Sequence, residues 1–199
     1  MLIYTIGHSK HSTEEFMHLI EEHNINCICD VRSTPYSRFS EQFNREAIKA
    51  LLCSHGVSYL FLGEELGARR VEKELLTDGT VDFEIIARDE KFLSGINRIE
   101  NGLKKGYRIA IMCTEKNPMD CHRAILIARN LSAKGLDVLH ILSDGTTISQ
   151  EQIEKLLLEK YCPDRDQLSI FDSNQTIDYL KEAYTRANYE IGYRKEDEE

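Results

Sequence analysis

The strongest constraint on the fold of this chain is a regular alternation between short apolar runs and longer segments with helical periodicity. Each apolar run is bounded by glycine or polar residues, as is usual for buried strands. We predict strands at residues 2–6, 25–31, 57–62, 107–113 and 137–142. Because nearly continuous apolar strands alternate with helices, the pattern indicates an α/β fold. We expect a mainly parallel sheet of about five strands with helices on both faces, in Rossmann-like layers.

Capping residues set the expected helix boundaries. The predicted N-caps are Ser12, Asn44, Asp120 and Ser149, and the two serines open S-x-x-E and S-x-x-Q capping boxes. Gly56 and Gly135 stand where a left-handed residue would end a helix. Residues 82–105 are expected to be helical, with a break near Gly95.

The length of 199 residues predicts one main domain. We assign residues 1–160 to a single α/β domain. Residues 161–199 form a C-terminal helical extension, with a helix near 176–188 and an acidic tail. The 34 acidic residues outnumber the 25 basic ones, giving a net charge of −9. That balance disfavours non-specific binding to duplex nucleic acid, although a local basic pocket remains compatible with it.

Cysteine usage and the N-terminus predict the compartment. The chain has six cysteines, but its first residues show no basic, apolar or cleavage region of a secretory signal. No apolar run reaches the roughly 18 residues needed to span a bilayer. We therefore expect a reduced cytoplasmic protein that is not in a membrane. No sequence feature indicates its oligomeric state.

Unusual polar residues follow the predicted strands. They are His8 and Ser9 after the first strand, Arg32, Ser33 and Arg38 after the second, and Cys113, Glu115, Cys121, His122 and Arg123 after the fourth. Ligands of parallel α/β folds bind at the carboxyl ends of the strands. We therefore predict that His8, Arg32, Arg38, Glu115 and Arg123 share one pocket.

Three motifs carry all of these residues. They read Thr5-Ile-Gly-His-Ser9, Asp30-Val-Arg-Ser-Thr-Pro-Tyr-Ser-Arg38 and Cys113-Thr-Glu-Lys-Asn-Pro-Met-Asp-Cys-His-Arg123. In this order they resemble the signature motifs of the bacterial and archaeal family catalogued as domain of unknown function 488. The resemblance spans about residues 4–143, and Ala68 departs from it where the family often has glycine. It implies a compact α/β fold and no assigned chemistry.

The arginines indicate an anion site. Arg32, Arg38 and Arg123 offer guanidinium forks that suit phosphate or carboxylate. We expect further donors at the same site from Ser9, Ser33, Cys121 and His122. The alternative is an internal network of ion pairs, with Asp30 joined to Arg32 and Glu115 joined to Arg123.

Glu115 is the leading catalytic candidate, as a general base or nucleophile assisted by His8 and Cys113. The alternative is a carboxylate that only orients Arg123 or His122. Cys113 and Cys121 allow three interpretations: a nucleophilic thiolate, a metal site with His122, or a redox disulfide. The spacing has no C-x-x-C pair and predicts poor donor geometry across a loop and a helix start, so we expect no metal and no cofactor.

The sequence thus predicts an enzyme, a hydrolase or transferase acting on a phosphate-bearing or N-glycosidic substrate. The expected ligand is an anionic small molecule or nucleotide, and the net charge does not favour nucleic acid. One alternative is a non-catalytic module that binds nucleotides or nucleic acid. The other is a thiol-dependent sulfur or redox enzyme built on Cys113 and Cys121.

Overall fold

A computed structural model describes residues 1–165 and 178–194. In chain order the strands are β1 (Leu2–Gly7), β2 (Cys27–Asp30), β3 (Ser58–Phe61), β4 (Leu76–Thr77), β5 (Thr80–Val81), β6 (Ile109–Cys113), β7 (Asp137–Ile141) and β8 (Thr147–Ser149). Six of them form the central sheet in the order β3-β2-β6-β1-β7-β8, while β4 and β5 pair as a separate hairpin.

All five predicted strands are present, and they pair in parallel. The predicted α/β class is confirmed. The sixth strand of the sheet, β8, was not predicted and runs antiparallel to β7. It is three residues long and carries two hydroxyl side chains, so the apolar run that identifies a buried strand is missing there.

The helices in chain order are α1 (Thr13–Glu22), α2 (Arg45–Ser54), α3 (Gly63–Leu66), α4 (Phe83–Ile86), α5 (Glu90–Lys104), α6 (Arg129–Ala133), α7 (Gln150–Tyr161) and α8 (Tyr179–Ile191). A π-helical turn over Arg123–Ala128 leads directly into α6. Short 3-10 turns occupy Glu41–Phe43, Lys73–Leu75 and Pro118–Asp120.

The predicted break near Gly95 is wrong, because α5 runs through that residue. The break lies before Asp89, whose side chain accepts hydrogen bonds from the amides of Lys91 and Phe92 and so starts α5. Gly95 has a packing role instead. A Cβ there would come within 2.7 Å of the Leu66 side chain on α3, so the glycine allows the two helices to approach closely.

Three of the four predicted N-caps hold that position. Ser12 and Ser149 form the expected capping boxes. Asn44 occupies the N-cap of α2, but its side chain accepts from the amide of Ser37 instead. Gly56 and Gly135 adopt the left-handed backbone predicted for helix ends, with φ of 74° and 83°.

Apolar side chains fill two cores, one on each face of the sheet. Along β6, Ile109, Ile111 and Cys113 belong to one core, while Ala110 and Met112 belong to the other. Because successive side chains of a strand point to opposite faces, this division shows that helices cover both sides. The carboxyl ends of the strands are left free for polar residues.

The C-terminal helix α8 packs against α7 and buries Ala183, Tyr184 and Ala187. After α8 the chain reaches the hairpin, where the Tyr193 carbonyl accepts from the Val81 amide. Residues 195–199, which hold most of the predicted acidic tail, lie outside the described residues. The division near residue 160 stays a prediction. Within residues 1–165 and 178–194, no helix has the length and apolar character needed to cross a membrane.

A buried polar network ties the sheet to α7 and α8. His140 on β7 contacts Thr5 Oγ1 at 2.8 Å and Gln150 Oε1 at 2.7 Å, and Gln150 Nε2 donates to the hydroxyl of Tyr184 at 2.7 Å. Burial, followed by the charge of Arg123, lowers the pKa of His140 to about 4. The ring is therefore neutral in the folded protein at pH 7.

This low pKa predicts acid sensitivity. The ordinary pKa of histidine is 6.5. Between pH 6.5 and about pH 4, the unfolded chain therefore binds a proton at His140 that the folded chain does not bind. The contribution of His140 to folding stability at neutral pH, about 3 kcal/mol, should therefore be lost as the pH drops through that window. Urea unfolding at several pH values measures the slope. A His140→Gln variant should show a shallower slope than the wild type, and equal slopes would contradict the assignment.

Candidate functional site

A cavity of about 460 Å³ opens beside the carboxyl ends of β2 and β6. Its lining comes from the loops after β2 and β6, from the segment after α3, and from the end of α8 onward: Arg32, Ser33, Thr34, Ala68, Arg69, Cys113, Thr114, Glu115, Asp120, His122, Glu190, Ile191, Gly192, Tyr193 and Arg194. Its volume is in the range of pockets that hold small molecules.

The structure brings many of the predicted site residues together at this cavity. Arg32, Ser33, Cys113, Glu115 and His122 line it, while His8 and Cys121 contact lining residues from behind. Ser9 lies beside the site, where its amide donates to the Thr114 carbonyl at 2.8 Å. Arg38 is exposed in the loop after β2 and does not line the cavity. Arg123 does not line it either.

Two parts of the lining were not predicted. The amide of Arg69 donates to Ser33 Oγ at 2.9 Å, so the two cavity segments are joined directly. The stretch from Glu190 to Arg194 reaches the cavity because α8 folds back onto the domain. No sequence pattern predicts that either segment reaches the cavity, because both are placed there by tertiary packing.

Arg32 is held rigidly at the cavity wall. Its Nε donates to Asp30 Oδ1 at 2.9 Å, its Nη2 to Asp30 Oδ2 at 2.6 Å, and its Nη1 contacts His8 Nε2 at 3.1 Å. The Asp30–Arg32 ion pair expected from the internal-network alternative therefore forms. These contacts use three of the five guanidinium N–H groups, so two donors remain for a ligand.

The protonation of this network is consistent with its geometry. Burial lowers the pKa of Arg32, but its hydrogen bond to Asp30 and the negative charge of that carboxylate together outweigh burial and raise the pKa. Burial and the charge of Arg32 lower the pKa of His8 to about 4. His8 is thus neutral at pH 7, so its Nε2 can accept a hydrogen bond from Arg32 Nη1 rather than repel its charge. Its role here is to position Arg32.

Four reactive side chains form a cluster at the cavity. Cys113, Glu115 and His122 line the cavity, and Cys121 contacts Glu115 from outside the lining. Glu115 Oε2 lies 3.1 Å from the sulfur of Cys113 and 3.1 Å from that of Cys121. His122 Nδ1 lies 3.7 Å from the first sulfur and 3.9 Å from the second. His122 Nε2 lies 3.3 Å from the main-chain oxygen of Val31. We call these four side chains the thiol cluster.

The members of the thiol cluster shift one another's ionisation. Burial and the charge of Cys121 raise the pKa of Glu115. Burial alone would raise the pKa of Cys121, but the bond with Cys113 and the charge of Arg123 hold it well below its usual value. Contact with Cys121 and burial raise the pKa of Cys113. Burial alone would lower the pKa of His122, but contact with Cys121 raises it. Of the two thiols, Cys121 ionises more readily.

Arg123 supports the loop that carries Glu115. Its Nη1 donates to the Glu115 carbonyl at 2.6 Å, its Nη2 to the Lys116 carbonyl at 3.2 Å, and its Nε to Thr5 Oγ1 at 3.3 Å. The predicted ion pair with the Glu115 carboxylate is wrong. The π-helical turn begins at Arg123 and directs its fully buried side chain beneath the loop, where it meets main-chain oxygens.

The predicted helix cap at Asp120 is also wrong. Asp120 ends the 3-10 turn Pro118–Asp120, and the Asn117 side chain caps that turn by accepting from the Met119 amide at 3.1 Å. Cys121 separates this turn from the helix that follows. Asp120 lines the cavity, where it adds negative charge.

Gly7 permits the close approach of β1 to the Glu115 loop. A Cβ at this position would overlap the Glu115 carbonyl oxygen and lie 3.2 Å from Arg123 Nη1. A Gly7→Ala substitution should therefore lower the free energy of unfolding by about 1–3 kcal/mol through overpacking. Thermal unfolding measures it.

A Gly56→Ala variant separates overpacking from backbone strain. A Cβ at Gly56 meets no atom within 4 Å, so only its left-handed φ of 74° opposes the substitution. If Gly7→Ala leaves stability unchanged, the close packing of this loop is contradicted.

The arrangement of donors in the thiol cluster also suits a metal ion. The ligand atoms of Cys113, Cys121 and His122 all lie within 4.8 Å of one another. The expectation of poor donor geometry is therefore wrong. The 3-10 turn folds the seven intervening residues back, so Cys121 reaches the end of β6.

Comparison with known proteins gives one match. A family model described as Domain of unknown function DUF488 matches residues 12–130, which is more than half of the chain. The matched range contains Arg32 and all four members of the thiol cluster. Neither the curated proteins nor the solved structures include a match to this chain.

Proposed function

Because the chain belongs to the DUF488 family, a domain of unknown function, we propose a function from the geometry of its cavity. We propose that the protein is an enzyme that binds an anionic small molecule or nucleotide and acts on it with the thiol cluster. The observation that carries the proposal is the position of Glu115, whose carboxylate contacts two buried thiols in a cavity shared with Arg32.

Binding is assigned to the arginine side of the cavity. Its wall contains Arg32, Arg69 and Arg194 together with three acids, Glu115, Asp120 and Glu190. With charges balanced in this way, recognition depends on placement rather than on net charge. Arg32 is the best-placed donor because Asp30 and His8 fix its orientation before a ligand arrives, which reduces the entropy lost on binding.

Catalysis is assigned to Glu115. A carboxylate in a partly buried cavity can accept a proton from an attacking water or hydroxyl group. Arg32 would hold the anionic part of the substrate while this proton is transferred. Hydrolysis or group transfer at a phosphate or N-glycosidic bond fits these two roles.

The binding half of the proposal is tested with a panel of nucleoside phosphates and sugar phosphates in a thermal-shift assay. At least one member should raise the melting temperature of the wild type. An Arg32→Lys variant keeps the charge beside Asp30 but loses the guanidinium fork, so the affinity for that compound should fall about 10-fold or more.

Arg38→Lys is the matched control, because Arg38 belongs to the same loop but is exposed outside the cavity. It should leave the affinity within about twofold of the wild type, below the effect of one hydrogen bond. If no member of the panel binds, or if the two variants behave alike, the assignment of Arg32 fails.

A second candidate function is thiol-dependent sulfur or redox chemistry. It is favoured by the two sulfurs of Cys113 and Cys121, which contact the same carboxylate oxygen. In that case a Cys113→Ser variant should lose activity as completely as Cys121→Ser. Mild oxidation of the wild type should also remove two hydrogens from the intact mass, as expected for a disulfide.

A further inference from the structure

We propose that Cys113, Cys121 and His122 bind one Zn²⁺ ion whose fourth coordination position faces the cavity and Glu115. This inference deepens the proposed function and rests on it for the role of the cavity. The binding of the ion itself depends only on the three donors.

The donor distances are close to those of a tetrahedral zinc site. Zinc lies about 2.3 Å from cysteine sulfur and about 2.0–2.1 Å from histidine nitrogen, so neighbouring ligand atoms are about 3.5–3.8 Å apart. The observed distances from His122 Nδ1 are 3.7 Å to Cys113 Sγ and 3.9 Å to Cys121 Sγ. All three donor atoms lie within 4.8 Å of one another, so side-chain movements of up to about 1 Å place them around one ion.

The orientation of His122 supports the same assignment. Its Nε2 lies 3.3 Å from the Val31 carbonyl oxygen, and a carbonyl oxygen can only accept a hydrogen bond. In the neutral ring that binds a metal, the proton therefore resides on Nε2, so the lone pair of Nδ1 points toward the two sulfurs. Histidines that bind metal ions commonly donate their other ring N–H in this way, which fixes the tautomer and the ring orientation.

Rigid elements hold the three donors before an ion binds. Cys113 is the last residue of β6, and Cys121 lies between the 3-10 turn and the π-helical turn. The intervening loop is fixed from below by Arg123. Since the donors need little reorganisation, binding costs little conformational entropy.

The donor set selects the ion. Two thiolates and an imidazole suit zinc, whereas magnesium and calcium prefer oxygen ligands. The cluster places the Glu115 carboxylate 3.1 Å from each of the two sulfurs. A divalent cation would neutralise two thiolates and relieve their repulsion from this carboxylate.

The fourth position gives the site a catalytic character. Structural zinc sites have four protein ligands, whereas catalytic ones have three and a bound water. Here Cys113, His122 and Glu115 line the cavity. A water on the ion would transfer one proton to the Glu115 carboxylate and remain on the metal as hydroxide, so charge and atoms balance.

The test measures zinc in the purified full-length chain by elemental analysis, after incubation with zinc and removal of the excess. The wild type should hold about one ion per chain. Cys121→Ser and His122→Gln should each retain less than about a tenth of that amount, because two donors bind zinc weakly. Two controls, Cys53→Ser at an exposed cysteine and Glu115→Gln, should keep their zinc.

Cobalt substitution provides a readout that needs no variant. Co²⁺ added to metal-free wild type should give the visible absorption of tetrahedral thiolate coordination, even if the cysteine variants do not fold. If the wild type takes up no zinc and shows no such spectrum, the metal proposal is overturned. Binding of the phosphate panel in that case would leave the enzyme proposal standing. Zinc uptake without any panel ligand would support the metal site and count against the enzyme proposal.

Discussion

An Asp30→Ala substitution is expected to lower the free energy of unfolding by about 3–5 kcal/mol, because it leaves the Arg32 guanidinium buried without its carboxylate. Asp30 is 0% exposed and Arg32 is 6% exposed, so the pair is largely shielded from water, which compensates poorly for the lost carboxylate. The carboxylate also accepts from the Tyr59 hydroxyl at 2.7 Å, which loses its acceptor too. Urea unfolding at pH 7 measures the change.

Glu151→Ala is the matched control for this prediction. Glu151 pairs with Lys155 at 3.1 Å on the exposed face of α7, where water and salt screen the charges. Its removal should change stability by less than about 1 kcal/mol. Losses of similar size in the two variants would show that the Asp30–Arg32 pair does not stabilise the fold more than a surface pair does.

An Arg123→Ala substitution is expected to have an effect of similar size. It removes two charge-assisted hydrogen bonds to main-chain oxygens, each contributing about 1.5–3 kcal/mol, and it leaves a cavity beneath the Glu115 loop. We expect the free energy of unfolding to fall by about 3–5 kcal/mol. Chemical denaturation is again the measurement.

Lys134→Ala tests whether this loss is specific. Lys134 follows the helix that Arg123 begins, and its ammonium group pairs with Glu100 at 2.8 Å on the surface. This variant should remain close to the wild type in stability. A stable Arg123→Ala protein would mean that the Glu115 loop does not depend on the guanidinium contacts.

The sheet could be predicted from the sequence because each buried strand is a nearly continuous run of apolar residues. The β6 run, Ile109–Cys113, is apolar throughout since helices cover both of its faces. The edge strand β8 has no such apolar run. The prediction of a helix break at Gly95 was wrong because it used only the low helix propensity of glycine. In the folded protein, the close packing against Leu66 requires a glycine at this position of α5.

The convergence of several polar residues on one cavity was predictable, but the partners of their side chains were not. The rule that ligands bind at the carboxyl ends of parallel strands placed Arg32, Glu115 and His122 together. It could not show that Arg123 turns toward main-chain oxygens, since that depends on the π-helical turn. Nor could the seven-residue spacing show that Cys121 returns to Cys113, because a 3-10 turn closes that loop.

The sequence could not predict that the C-terminal region lines the cavity. Residues from Glu190 to Arg194 line the cavity only because α8 packs on α7 and the chain then meets the β4–β5 hairpin. Asn188 of α8, for example, bonds to the main chain of Val81 and Phe83, which are more than 100 positions away in the sequence. A single sequence does not indicate such a long-range contact.

The central claim is that Glu115 acts on a ligand held in the cavity, and turnover by a Glu115→Gln variant tests it most directly. The substrate is the phosphate-panel compound that gives the largest thermal shift, and its products are followed by chromatography. Glutamine keeps the shape of the side chain but cannot accept the proton. Turnover should therefore fall about 100-fold or more, while the affinity for the compound and the melting temperature stay near those of the wild type. Wild-type turnover by the variant, or a wild type that binds the compound without converting it, would contradict the claim.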